Sequence, residues 1–147
     1  CAAAPSIEVL ENWLHESFAS LIPRSPDKES VAALLGLGPG LTPSGDDFLG
    51  GMLIALHVCG EIIVQKQLYI PIAALLETTG PVSRAHLQAA AIGEGSEALH
   101  RVFYALLKAD VVKLASEVDA IDRIGHTSGW DTLAGIATVL RAITSEI

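Results

Sequence analysis

The stretch that most limits how this chain can fold runs from Gly36 to Gly51 and reads GLGPGLTPSGDDFLGG, directly before an unbroken apolar segment. Gly38, Pro39 and Gly40 resist helix and force a loop, and Pro43 fixes its own φ while pushing Thr42 to extended backbone. Ser44 then stands where a helix cap belongs. Ser44-Gly45-Asp46-Asp47 has the S-x-x-D spacing of a capping box, with Ser44 accepting from the first turn and Asp47 reaching back. Both carboxylates also sit at the positive end of the new helix dipole. The expectation is a loop of fixed shape opening onto a buried helix.

A similar segment recurs 84 positions later, where Ser128, Gly129, Asp131, Leu133 and Gly135 match Ser44, Gly45, Asp47, Leu49 and Gly51 as S-G-x-D-x-L-x-G. Each segment places a glycine four residues after the aspartate, on the same helix face. An interior helix glycine costs about 1 kcal/mol relative to alanine, so two in matching places point to close approach of two helix backbones. Asp46 aligns with Trp130, so capping accounts for Asp47 and Asp131 but not for Asp46. Asp46 is therefore the first candidate for chemistry, with Asp47 second.

Alanine and leucine are abundant and aromatic residues make up only 5% of the chain, a composition that favours helices over sheets. Apolar residues recur at three- and four-residue spacings in Ile7, Leu10, Leu14, Phe18 and Leu21, which predicts a helix over Pro5 to Leu21. Further helices are expected after Ser25 or Asp27, from Gly45 to about Gly60, over Glu61 to Leu68, from Pro71 to Thr78, from the Ser83 cap to Ile92, from Ser96 to Lys108, over Val111 to Ile121, and from the Ser128 cap to Ile147. No alternating strand pattern and no long linker interrupts them. The chain reads as one all-α domain over 1–147, seven to nine helices around a central apolar one. A mean hydropathy of +0.46 is high and implies helices apolar around most of their circumference, or a face covered by a partner.

A net charge of −8 argues against nucleic acid, whose phosphates require a basic face. The longest apolar run, Phe48 to Val64, is broken by His57 and Glu61 and falls short of a membrane span. No signal peptide is evident, and two cysteines suit a reducing cytoplasm. Cys1 is placed like an N-terminal nucleophile, but a helix follows where such enzymes need strands. Cys59 reads as a core residue. The absence of an initiator methionine is what a piece of a longer protein would show.

The glycine loop and helix start together favour anions, yet no G-K-[ST] follows and no strand precedes. Asp46 and Asp47 would repel an anion unless a cation intervened. Three readings stay open: an anion bridged by Mg²⁺ on Asp46 and Asp47, a ligand that presents N–H donors to them, or simple capping. His15, His57, His86, His100 and His126 form no zinc spacing. His126 precedes the Ser128 cap, so if the two helix starts meet, His126, Ser128 and Asp131 join Thr42, Ser44, Asp46 and Asp47 in one cleft. The histidine would then be placed for acid–base work. Thr78, Thr79, Ser83 and Arg84 form a further polar cluster, with Arg84 among few cations able to hold a carboxylate or phosphate.

The run GLGPGLTPSGDDFLGG, followed by the Thr-Thr…Ser83…Leu87 segment and Gly93, resembles the AllH-type family, from about Val31 to the C-terminus. Its members are described as a subunit of oxamate carbamoyltransferase in anaerobic allantoin breakdown, working with FdrA-like and AllG-like partners. The resemblance implies carbamoyl transfer between oxalurate or oxamate and phosphate, with carbamoyl phosphate on one side of the reaction. Family members are about twice this length, so the chain is expected to be a C-terminal part, in a hetero-complex or a homo-oligomer. The expected chemistry needs donors for phosphate and carboxylate, which loop N–H groups from Gly38, Gly40 and Gly45 with Arg84 would supply, and an acceptor for amide N–H groups, which Asp46 would supply.

Overall fold

A computed structural model describes residues 3–123 and 127–146. Among them the chain forms eight α-helices: α1 Ala4–Phe18, α2 Lys28–Leu34, α3 Ser44–Val58, α4 Ile62–Ala74, α5 Pro81–Ala90, α6 Glu97–Leu107, α7 Val111–Asp122 and α8 Ser128–Ser145. A single 3₁₀ turn, Leu76–Thr78, links α4 to α5, and no strand occurs among the described residues. The all-helical expectation holds. Ile147, Cys1 and His126 lie outside the described residues.

The centre is α3. Leu49, Met52, Leu53, Ala55 and Leu56 are fully buried, so this helix is enclosed on nearly every side. Burial of each such leucine contributes roughly 1.5–3 kcal/mol, which makes the segment after the glycine loop the anchor of the fold. Its most extensive partner is α8, followed by α5 and α4; α1 packs on α2 and α8, and α6 with α7 makes a hairpin.

The glycines explain the α3–α8 contact. A methyl group built on Gly51 would fall well under 3.0 Å from the Thr132 carbonyl oxygen, and one on Gly135 equally close to the Phe48 carbonyl oxygen. The contact is reciprocal, since Phe48 and Thr132 occupy corresponding places in the two aligned segments. Only glycine permits two helix backbones to approach this closely.

Three local expectations are corrected. α1 stops at Phe18, and Leu21 is completely exposed rather than part of the apolar stripe. Pro23, two residues on, forbids a continued helix there. Pro71 does not start a helix but sits buried inside α4, leaving the Gln67 carbonyl without its intrahelical donor. Ser83 is not a cap: Gly80 is the N-cap and Pro81 opens α5, a position that suits its fixed φ. Where caps do form they are Asp27, Ser96 and Asp110, each accepting from the backbone N–H three residues on.

Candidate functional site

Both Ser-Gly-x-Asp helices begin at their serines, but neither serine caps. Pro43 occupies the N-cap of α3 and Thr127 that of α8, and neither helix has a side-chain cap hydrogen bond. In α3 the backbone meets its own needs: the Gly45 N–H donates to Leu37 O at 3.0 Å, and the Asp46 and Asp47 N–H groups both donate to Pro43 O. Pro43, with φ −57° and ψ 147°, is held in the extended cap conformation without help. The capping-box reading therefore fails, and Asp47 is released from the bland role that sequence offered it.

Asp46 takes the structural role. It is 2% exposed, its Oδ1 accepts from the Gly36 N–H at 2.8 Å, and its Oδ2 accepts from the Thr79 and Ser83 hydroxyls. One carboxylate thus ties the start of the glycine loop to the start of α5. Thr79 and Ser83 belong to the TTGPVSR cluster, so two segments separate in sequence form one buried knot. Three internal donors leave the carboxylate little capacity for a ligand.

Asp47 is the reverse. It is 8% exposed, and its Oδ2 is buried with no hydrogen-bond partner among the described residues. Burial, which penalises the charged form, raises its pKa from the ordinary 3.8 to about 6. The nearby Ser128 and Thr42 hydroxyls pull it down, Asp131 pushes it up, and His86 draws it down again. A buried carboxylate oxygen without a donor is expensive, and such groups concentrate where a ligand or a reaction needs them.

Asp47 lines a cavity of about 420 Å³ between α3, α5, the start of α6 and the start of α8. Its polar wall holds Asp46, Asp47, Ser83, His86, Ser96 and Ser128, and its apolar wall includes Ile54, Leu87 and Leu99. The Thr42 hydroxyl reaches Ser128 Oγ at 3.5 Å, which brings the glycine loop against the start of α8. His86, one helical turn beyond Ser83, is on the exposed rim. Sequence reasoning passed over it because nothing in its spacing marks it; only the packing of α5 beside α3 brings it to Asp47.

The single cleft expected from the two helix starts is not what forms. Gly38, Ser44, Gly45 and Asp131 line a second cavity of about 530 Å³, with Phe48, Thr138 and Arg141. The reason lies in helix geometry. With the glycine faces in contact, residues 46, 47, 50 and 54 of α3 fall on one flank of the contact and 44, 45 and 48 on the other. Each cavity receives the aspartate of one helix and the Ser-Gly of its neighbour. Asp131 Oδ2 is, like that of Asp47, buried and without a partner among the described residues.

The remaining expected site residues stand apart. Arg84 is bound to Glu77 and lines neither cavity. A methyl group built on Gly40 would meet nothing within 4 Å, and Gly40 lines neither cavity. His126 is outside the described residues, so its role is not placed. For Mg²⁺, the donor set is thin: among the described residues no three His, Cys, Asp or Glu side chains are grouped to hold a metal ion, and Asp46 is already committed to three donors. No helix is long and apolar enough to cross a membrane among the described residues.

The family model described as oxamate carbamoyltransferase subunit AllH matches residues 34–140, well over half of the chain. The matched span takes in the glycine loop, the Asp46 knot and both lines of the Asp47 cavity. No solved structure matches the chain.

Proposed function

The chain belongs to the AllH family, whose description is a subunit of oxamate carbamoyltransferase, and from that premise we propose that it supplies a substrate cleft for carbamoyl transfer between oxamate or oxalurate and phosphate. The observation that carries the reading is Asp47, whose Oδ2 has no partner among the described residues, lining a cavity beside the start of α8. In the forward direction the amide nitrogen of oxamate forms a bond to the carbamoyl carbon of carbamoyl phosphate. The carbon–oxygen bond to phosphate breaks, the electron pair leaves with the phosphate oxygen, and the nitrogen gives up one proton. Asp47 is the group that takes it. A carboxylate with pKa about 6 is ionised at neutral pH yet basic enough to accept a proton in the transition state. In the Asp46 knot, Thr79 and Ser83 hold the α5 start against α3 and so fix the wall opposite α8.

FdrA-like and AllG-like subunits would complete the enzyme. Combining this chain with them and measuring oxamate-dependent phosphate release from carbamoyl phosphate tests the reading; Asp47→Asn is expected to lower the rate at least 100-fold. Full activity in that variant would remove Asp47 from the chemistry. A second reading, a non-catalytic assembly module, is favoured by one observation: Tyr104, Leu107, Val111 and Val112 stand exposed along the α6–α7 hairpin, Val112 at 85%. It predicts that the chain binds its partner subunits while Asp47→Asn leaves the rate of the assembled enzyme unchanged.

A further inference from the structure

Resting on that reading, we propose that the Asp47 cavity is the acceptor half-site, holding the small carboxamide with its neighbouring carboxylate, and that the phosphorylated donor is held by groups outside this cavity. Charge is the first argument. The cavity is lined by Asp46, Asp47 and Glu94, no lysine or arginine lines it among the described residues, and the one side chain able to carry positive charge is His86 at the rim. A phosphoryl group with two negative charges needs guanidinium or ammonium partners there. Arg84, the nearest such group in sequence, is engaged by Glu77.

Hydrogen-bond complementarity is the second argument. Asp47 lines the cavity, is more than nine-tenths buried, and its Oδ2 has no partner among the described residues, so a ligand that complements it brings a hydrogen-bond donor, which the NH₂ of a carboxamide supplies. Ser128 and Gly129, the first two residues of the 18-residue α8, line the same cavity, and no side chain caps that helix. The N–H groups of a helix start and the helix dipole favour a single carboxylate. A molecule that carries an amide NH₂ and a carboxylate on adjacent carbons meets both demands at once: the amide faces Asp47 and the carboxylate faces α8 and His86. Oxamate has this arrangement, and phosphate and carbamoyl phosphate do not. The cavity is larger than so small a molecule, which leaves room for the carbamoyl group to arrive beside the amide nitrogen.

Calorimetric titration of the chain with oxamate, oxalate, inorganic phosphate and carbamoyl phosphate at pH 7.5 tests the assignment. Oxamate is expected to bind at least 10-fold more tightly than oxalate, which lacks the N–H, and inorganic phosphate to give no heat. Asp47→Asn is expected to weaken oxamate at least 10-fold and to erase its advantage over oxalate, with the helical circular dichroism unchanged. Equal affinity for oxamate and oxalate in the parent chain would overturn the proposal, as would carbamoyl phosphate binding in preference to oxamate. Absence of oxamate binding while the reconstituted complex remains active would also overturn it and leave the carbamoyl-transfer reading standing. An inactive complex of correctly assembled subunits would instead sink that reading.

Discussion

Replacing Asp47 with asparagine should make the fold more stable, and the effect follows from one unpaired oxygen. In the folded chain Asp47 is raised from 3.8 to about 6, chiefly by burial. Because the folded pKa lies above the unfolded one, the folded state binds this proton more tightly. The penalty for the charge is absent below pH 3.8 and complete above about pH 6. At about 1.4 kcal/mol per pH unit the ceiling is ~3 kcal/mol. The cavity opens to solvent, so screening leaves a realised cost of about 1–2 kcal/mol. Asparagine keeps the shape, carries no charge, and can offer its amide to the Ser128 and Thr42 hydroxyls. Urea denaturation followed by circular dichroism at pH 7.5 should therefore show Asp47→Asn more stable by about 1–2 kcal/mol. At pH 4 the two proteins should nearly converge, because the folded parent's carboxyl is then neutral. A variant no more stable than the parent at pH 7.5, or a difference that does not change between pH 4 and 7.5, would refute the reasoning. A side chain whose neutralisation helps the fold and harms binding is one held in place against stability for the sake of a ligand.

Other substitutions probe the frame around that site. Gly51→Ala or Gly135→Ala gains about 1 kcal/mol of helix propensity but drives a methyl into a facing backbone carbonyl, so each should destabilise by ~3 kcal/mol or more in the same urea assay. Asp46→Ala strands the Gly36 N–H and the Thr79 and Ser83 hydroxyls, and should cost about 3 kcal/mol or more by thermal melt. Ala109 holds a positive φ of 52° at the C-terminal end of α6, so Ala109→Gly should raise stability by roughly 0.5–1 kcal/mol. Oxamate affinity should fall as pH drops through about 6, where Asp47 takes up its proton; calorimetry at pH 5 and 7.5 checks this.

Much of the fold was written locally. Leucine-rich periodicity, prolines at helix starts and the small-residue loop before α3 set eight helices and made α3 central, because helix formation depends on neighbours three and four residues away. The glycines at 51 and 135 even pointed to a close helix contact before any geometry was known. The AllH likeness was likewise legible in the run from Gly36 to Gly51. Local signals misled where two local solutions competed. The Ser44 and Asp47 spacing suits a capping box, but Pro43 already supplies the cap conformation, and the Leu37 carbonyl reaches Gly45 only once the loop has folded back.

The division of labour between the two aspartates could not be read from the sequence. Asp46 and Asp47 are adjacent, identical in type, and lie 100° apart around a helix, so which is satisfied and which is stranded depends wholly on what packs against each side. Thr79 and Ser83 arrive beside Asp46 from the turn before α5 and from α5 itself, more than thirty residues on, and Ser128 arrives beside Asp47 from the start of α8. Sequence determined the helices, their glycine contact and the family. Tertiary packing decided which carboxylate is a structural tie and which a free acceptor, because a hydrogen bond is settled by distance in space and sequence spacing fixes that distance only within one helix.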